Sequence, residues 1–144
     1  MQIEIITAKI SFHLHGFGGV AVNQDYSGTA FKLSGRMWEV VKAHGIRNKG
    51  KNIWVYEPGN RVFAGVEIEN DQDAGSLEQK TITLNKYAYF KHVGPYRLIK
   101  ESGQSMRDEL EQNGHKTIFP YVEIYGHWTG NENTSETELF MSLE

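Results

Sequence analysis

Cysteine is absent from the 144 residues, which excludes disulfides, thiolate metal sites and cysteine nucleophiles. Its absence fits the expectation of a cytoplasmic protein. No apolar run approaches the roughly 20 residues that a membrane-crossing helix needs. The opening "MQIEIITAKISFHLHG" has no basic start followed by an apolar core, so no secretory signal is expected. A large net charge is also missing: 15 basic against 18 acidic side chains leave −3, which gives no reason to expect direct binding to nucleic acid. The glycines of "HGFGG" fit neither GxGxxG nor P-loop spacing, so no nucleotide is implied and no cofactor is expected.

What is present describes a globular chain. Hydrophobic residues make up 39% and charged residues 23%, and a chain of this length can bury a sizeable core. The charge is unevenly spread. Residues 1–100 carry 13 basic and 9 acidic side chains, whereas residues 101–144 carry 2 and 9. The last third is either a surface that attracts cations or a solvated acidic face.

The pattern of elements runs twice in the same order. Ile3 to His15 has the alternation and β-branching of a strand, and "HGFGG" is expected to break it. "FKLSGRMWEVVKAHG" has helical spacing, with Phe31, Leu33, Met37, Trp38, Val40 and Val41 as its apolar side and Gly45 as its stop. "NIWVYEPGNRVFAGVEIE" predicts two strands around a Pro58-Gly59-Asn60 turn. Polar residues 70–80 form the expected linker. "TITLNKYAYFKHVGPY" then predicts one strand, and "RLIKESGQSMRDELEQNG" a helix with Leu98, Ile99, Met106 and Leu110 inward and Gly114 as its stop. "FPYVEIYGHW" and "ETELFMSLE" supply two more strands around "TGNENTS". Each half is strand, helix, strand, strand, which gives an α+β protein. The expectation is one domain over 1–144, internally duplicated as about 1–69 and 81–144. Local echoes support it: "HGFGG" sits where "HVGPY" sits, and Ser34-Gly35 has a counterpart in Ser102-Gly103.

One acid stands out in "FPYVEIYGHW". Strand alternation puts Glu123 on one face with Tyr121 and Tyr125, opposite Val122 and Ile124. Desolvating a carboxylate between rings is costly. Either the face is wet, or something positive comes to meet the acid. Aligning the halves matches Trp54 to Glu123 and Tyr56 to Tyr125, and a pseudo-twofold would bring all four to a shared seam. A flat organic cation needs rings to stack on and a counter-charge. Trp38, Trp54, Tyr56, Tyr121 and Tyr125 are the candidate rings, and Glu123 is the candidate counter-charge. The plainer alternatives are a solvated surface acid at 123, core packing for Trp38, and a solvent-facing Tyr121. Phe63 and Phe90 are expected in the core. His13 and His15 share a strand face, but no third ligand accompanies them, so no metal site is expected. His92 lies at a turn and is expected to orient backbone.

These residues together resemble a known family. "KYAYFKHVGPY", a helix, "YVEIY" and a closing "ELFMSL" resemble the second half of the gyrase-inhibitor-like (GyrI-like) effector-binding family, and "RMWEVVKAHGI" with "NIWVYEPGNRVFAGVEIE" resembles its first half. The resemblance runs from about Lys9 to Leu143. It implies an antiparallel sheet built from two pseudo-twofold-related units around a central ligand cleft. It also implies hydrophobic, often cationic small molecules as ligands, with the motif glutamate, here Glu123, in the pocket. The chain is most similar to the stand-alone cationic-drug-binding modules, including those of mobile gene cassettes. On that basis no DNA-reading element and no membrane partner are expected, and any regulator or protein partner would be a separate polypeptide. Two other functions remain open: hydrolysis of reactive small molecules with Glu123 and Tyr125 positioning a water, and a protein-inhibitor module of the gyrase-inhibitor type.

Overall fold

The computed structural model describes residues 1–69 and 72–144. Among the described residues, eight strands form one antiparallel sheet, with two α-helices. In chain order they are β1 (Glu4–Ile6), β2 (Ile10–Val20), α1 (Tyr26–His44), β3 (Asn52–Glu57), β4 (Arg61–Val66), β5 (Glu78–Leu84), β6 (Tyr87–Val93), α2 (Ile99–Gln112), β7 (Thr117–Tyr125) and β8 (Glu136–Leu143). The spatial order is β1-β6-β8-β7-β3-β4-β2-β5. Outward from the β3–β7 seam, one direction runs β4, β2, β5 and the other β8, β6, β1. The two strand–helix–strand–strand units therefore lie side by side, and each outermost strand comes from the other half of the chain.

The seam's register carries the pseudo-twofold. Trp54 pairs with Glu123, Asn52 with Tyr125, and Tyr56 with Tyr121. An axis that exchanges Trp54 with Glu123 and Tyr56 with Tyr125 also exchanges Asn52 with Tyr121. It maps the Asn52–Tyr125 pair onto the Tyr121–Tyr56 pair, and both pairs are present. This register is the one that the expected correspondence between the halves requires along the seam.

Several expectations need correction. The first strand is divided into β1 and β2, and β2 continues through "HGFGG" to Val20. Glycine is needed there for close packing: a Cβ on Gly16 would lie 1.9 Å from the Ala64 carbonyl oxygen. "TITLNKYAYFKHV" is two strands, β5 and β6, which pair with opposite halves of the sheet. The expected linker is shorter than 70–80: residues 70 and 71 lie outside the described residues, and β5 already begins at Glu78. Phe31 is 73% exposed. The helix starts at Tyr26, and its buried stripe is Ala30, Leu33, Ser34, Met37 and Val41; Phe31, one position after Ala30, is rotated off that stripe.

The helix ends follow ordinary capping chemistry. The Asp25 side chain accepts from the Gly28 N–H at 3.1 Å, and Gly45 ends α1 in the left-handed conformation at φ 59°. Gly114, at φ 81°, follows α2. One face of the sheet is a strand-only core that includes Phe12, Ile53, Val55, Phe63, Val122 and Phe140. The other face carries the helices. Helix α1 packs on Val62, Ala64 and Val66 of β4, and α2 packs through Ile99, Met106 and Leu110 on Ala88, Leu139 and Met141. The β3–β7 seam lies between them as a floor that both helices border.

Candidate functional site

Alternation along β3 and β7 decides what this floor presents. Ile53, Val55, Val122 and Ile124 point into the strand-only core. The intervening residues Trp54, Tyr56, Tyr121, Glu123 and Tyr125 therefore point toward the helices. Ser34 on α1 and Gly103 on α2, one from each Ser-Gly pair, face this floor. Ser34 Oγ donates to Asn52 Oδ1 at 2.9 Å, and a Cβ on Gly103 would lie 3.5 Å from the Tyr121 hydroxyl.

Glu123 is 7% exposed and accepts three phenolic hydrogen bonds. Tyr121 donates to Oε2 at 2.7 Å, Tyr125 to Oε1 at 2.8 Å, and Tyr56 to Oε1 at 3.2 Å. No salt bridge to Glu123 forms among the described residues. Burial pushes its carboxyl above the usual carboxylate range, and the three hydroxyl donors pull partly back. The tyrosines answer in kind. Burial, with Glu123 beside them, raises Tyr56, Tyr121 and Tyr125, so their protons stay on as donors; Arg107 on α2 opposes this weakly at Tyr121. The result is a buried acid held by three phenolic donors. Removing one donor, as in Tyr121→Phe, is expected to raise the Glu123 pKa further, and NMR titration of the side-chain carboxyl would measure the shift.

Aromatic contacts extend from this acid in two directions. Tyr56 stacks on Tyr121 with centroids 5.6 Å apart, and Tyr26 meets Tyr56 edge-on at 6.1 Å. On the other side Trp54 lies 4.5 Å from Tyr125, Tyr125 lies 5.7 Å from Tyr96, and Tyr96 lies 6.4 Å from Trp128. The Trp54 indole N–H is buried without a partner among the described residues.

The structure brings together Glu123, Tyr125, Tyr56, Trp54 and Tyr121. It does not bring Trp38 into that group. Trp38 is half-buried against the cluster of Met37, Val41, Ile46, Val66 and Leu77, and its indole donates to Asn52 Oδ1. Its other side borders a hollow of about 410 Å³ on α1 with Gly35, Glu39, Val41 and Lys42. Tyr26, Tyr96 and Trp128 were not anticipated as part of the aromatic group. Tyr96 closes "HVGPY" and Trp128 closes "FPYVEIYGHW", but neither belongs to a periodic element that would fix its direction. His92 does orient backbone. It is buried, its Nε2 lies 3.1 Å from the Pro95 carbonyl oxygen and its Nδ1 2.7 Å from Ser102 Oγ. His13 contacts Thr81 Oγ1 through Nδ1 at 3.1 Å.

A family profile described as the GyrI-like small molecule binding domain matches residues 36–144. The chain belongs to that family. GyrI-like domains bind small molecules, and Glu123 with Trp54, Tyr56, Tyr121 and Tyr125 lies within the matched residues. A search of curated protein sequences returns no match. Solved structures match in fold. The C-terminal domain of EcmrR superposes with TM-score 0.73 at 18% identity, over 99% of this chain and 97% of that one. SAV2435 bound to tetraphenylphosphonium superposes with TM-score 0.69 at 16% identity, over 100% and 94%. A hydrolase from Listeria innocua superposes with TM-score 0.59 at 11% identity, over 99% and 92%. At these identities the likeness is one of fold. No helix among the described residues is long and apolar enough to cross a membrane.

Proposed function

We propose that this GyrI-like domain binds amphipathic aromatic cations, with Glu123 as the counter-charge and Trp54, Tyr56, Tyr121 and Tyr125 as the first rings in contact. The observation that carries this proposal is the buried acid that accepts three phenolic hydrogen bonds and makes no salt bridge among the described residues. An acid buried this way is unfavourable for the empty protein, and an arriving positive charge removes that penalty. The related fold of SAV2435, seen with tetraphenylphosphonium, supports a ligand of this chemistry.

Ring stacking supplies affinity without demanding one shape. Cation–π contacts contribute about 0.5–2 kcal/mol each. A ligand of about 25 heavy atoms at about 0.3 kcal/mol per atom reaches micromolar affinity. Because rings cover Glu123, a ligand touches the carboxylate only when one of them turns aside. Both oxygens of the acid already accept hydrogen bonds from phenols, which supports binding; hydrolysis is the second reading, since the fold is shared with a hydrolase from Listeria innocua. Mass spectrometry of recovered ligand tests this directly: the binder returns it unchanged, and a product formed by wild type but not by Glu123→Gln would make the site catalytic.

Affinity should depend on pH in a fixed direction. The empty site holds the Glu123 pKa above the ordinary value, and a bound cation lowers it. Binding therefore favours the ionised acid, and affinity should fall as pH drops through the raised pKa of the empty site. Titrating tetraphenylphosphonium from mildly alkaline to acid pH, followed by tryptophan fluorescence, tests the sign. Affinity that holds or rises on acidification would remove Glu123 from the role.

A further inference from the structure

We propose that Tyr96 and Trp128 form an outer aromatic subsite of the Glu123 cleft, which takes a second ring of the ligand and so favours elongated aryl cations over compact ones. This rests on the cation-binding reading and adds which cations the site prefers.

The two aromatic directions from Glu123 end differently. Toward Tyr26 the series closes on the protein: the Tyr26 hydroxyl donates to Asn60 Oδ1 at 2.5 Å, and Tyr56 is buried between Tyr26 and Tyr121. In the other direction it opens to solvent. Tyr96 is 41% exposed and Trp128 63% exposed, yet they continue the contacts that begin at Trp54 and Tyr125. Large rings left uncovered beside the proposed site are free to accept another ring.

Tyr96 is also held in place before any ligand arrives. It follows Pro95, whose carbonyl meets the His92 imidazole, and the other imidazole nitrogen meets Ser102 on α2. The Gly94 N–H donates to the Ser135 carbonyl at 2.8 Å, which ties the same turn to the β7–β8 connection. Trp128 stands on that connection, whose start is fixed by the Gly126 N–H donating to the Glu136 carbonyl at 3.0 Å. Anchoring both supports lowers the ordering cost of stacking a ligand ring there.

The test uses two probes, phenyltrimethylammonium, with one ring beside its charge, and an N-methyl styrylpyridinium dye, with a second ring held away from it. Calorimetry compares wild type, Trp128→Ala, Tyr96→Ala, Tyr96→Phe and Glu123→Gln. Trp128→Ala and Tyr96→Ala should weaken the dye roughly three- to tenfold and phenyltrimethylammonium less than about twofold. Tyr96→Phe, which keeps the ring, should retain the dye's affinity. Glu123→Gln should weaken both probes. Equal losses of both probes in Trp128→Ala, or no loss of the dye, would overturn the outer subsite while leaving the role of Glu123 standing. A wild type that binds neither probe would overturn both.

Discussion

Glu123→Gln is expected to weaken binding of an aromatic cation by at least about 30-fold, because removing one charge of a buried pair costs about 2 kcal/mol or more. The substitution keeps the side chain's shape and removes its charge. The surrounding phenols stay satisfied, since the Gln carbonyl accepts from them and a hydroxyl can turn to accept from the amide. The loss should be confined to cations: a neutral aromatic of the same shape should bind wild type and variant alike. Stability serves as the control, and its sign is the opposite of ordinary mutational damage. The Glu123 pKa is raised in the folded protein. Its stability contribution is therefore fully present below the unfolded pKa and is lost as pH rises through the folded value. Above that value the empty wild type carries the unfavourable buried charge and the variant does not. Thermal unfolding at neutral and mildly alkaline pH should give the ligand-free variant a Tm no lower than wild type. A large Tm drop would mean that the carboxylate is structural.

Gly16→Ala is expected to destabilise the fold by about 3 kcal/mol or more, since the added methyl has no space and its neighbours are backbone. Gly16 lies directly opposite Gly65 where β2 pairs with β4. Its Cβ would lie 1.9 Å from the Ala64 oxygen and 2.6 Å from the Gly65 Cα. Neither atom can rotate away, so β2 or β4 would have to move, and α1 packs on both through Leu33 and Phe17. The corresponding Tm loss is about 10 °C for a chain of this size. Gly35→Ala is the matched control. Its Cβ meets nothing within 4 Å, and it lies inside α1. Replacing glycine by alanine in a helix interior stabilises by up to about 1 kcal/mol. Opposite signs from two glycines in one chain would show that close strand packing, and not glycine loss in general, is responsible.

Much of the site was legible because it lies on two regular strands. Alternation in "NIWVYE" and "YVEIY" assigned Ile53, Val55, Val122 and Ile124 inward and put Trp54, Tyr56, Tyr121, Glu123 and Tyr125 on the other face. Aligning the halves matched Trp54 to Glu123 as equivalent positions at a shared seam; that the two are direct partners in the ladder comes from the structure. The helix stops at Gly45 and Gly114 were legible for the same local reason. What was missed depends on contacts distant in sequence. "HGFGG" has the composition of a turn, and only the proximity of β4 makes those glycines strand residues. β5 and β6 form a continuous strand-like stretch, separated because each pairs with a different half. Tyr26, Tyr96 and Trp128 lie at helix starts and on connections, where no period fixes the direction of a ring. Trp38 satisfied helical spacing, but its indole bonds Asn52 and its ring packs on the α1 cluster, contacts that its place in a helical period does not reveal.

The most direct test of Glu123 as counter-charge is proton exchange on binding. Tetraphenylphosphonium would be titrated calorimetrically in two buffers of different protonation enthalpy, at the pH where affinity changes most steeply. An acid whose pKa is raised when the site is empty and lowered by a bound cation must give up a proton. Wild type should release protons, with a buffer-dependent heat, and Glu123→Gln should show neither the release nor comparable affinity. Tight binding with no proton exchange, undiminished in Glu123→Gln, would contradict the account.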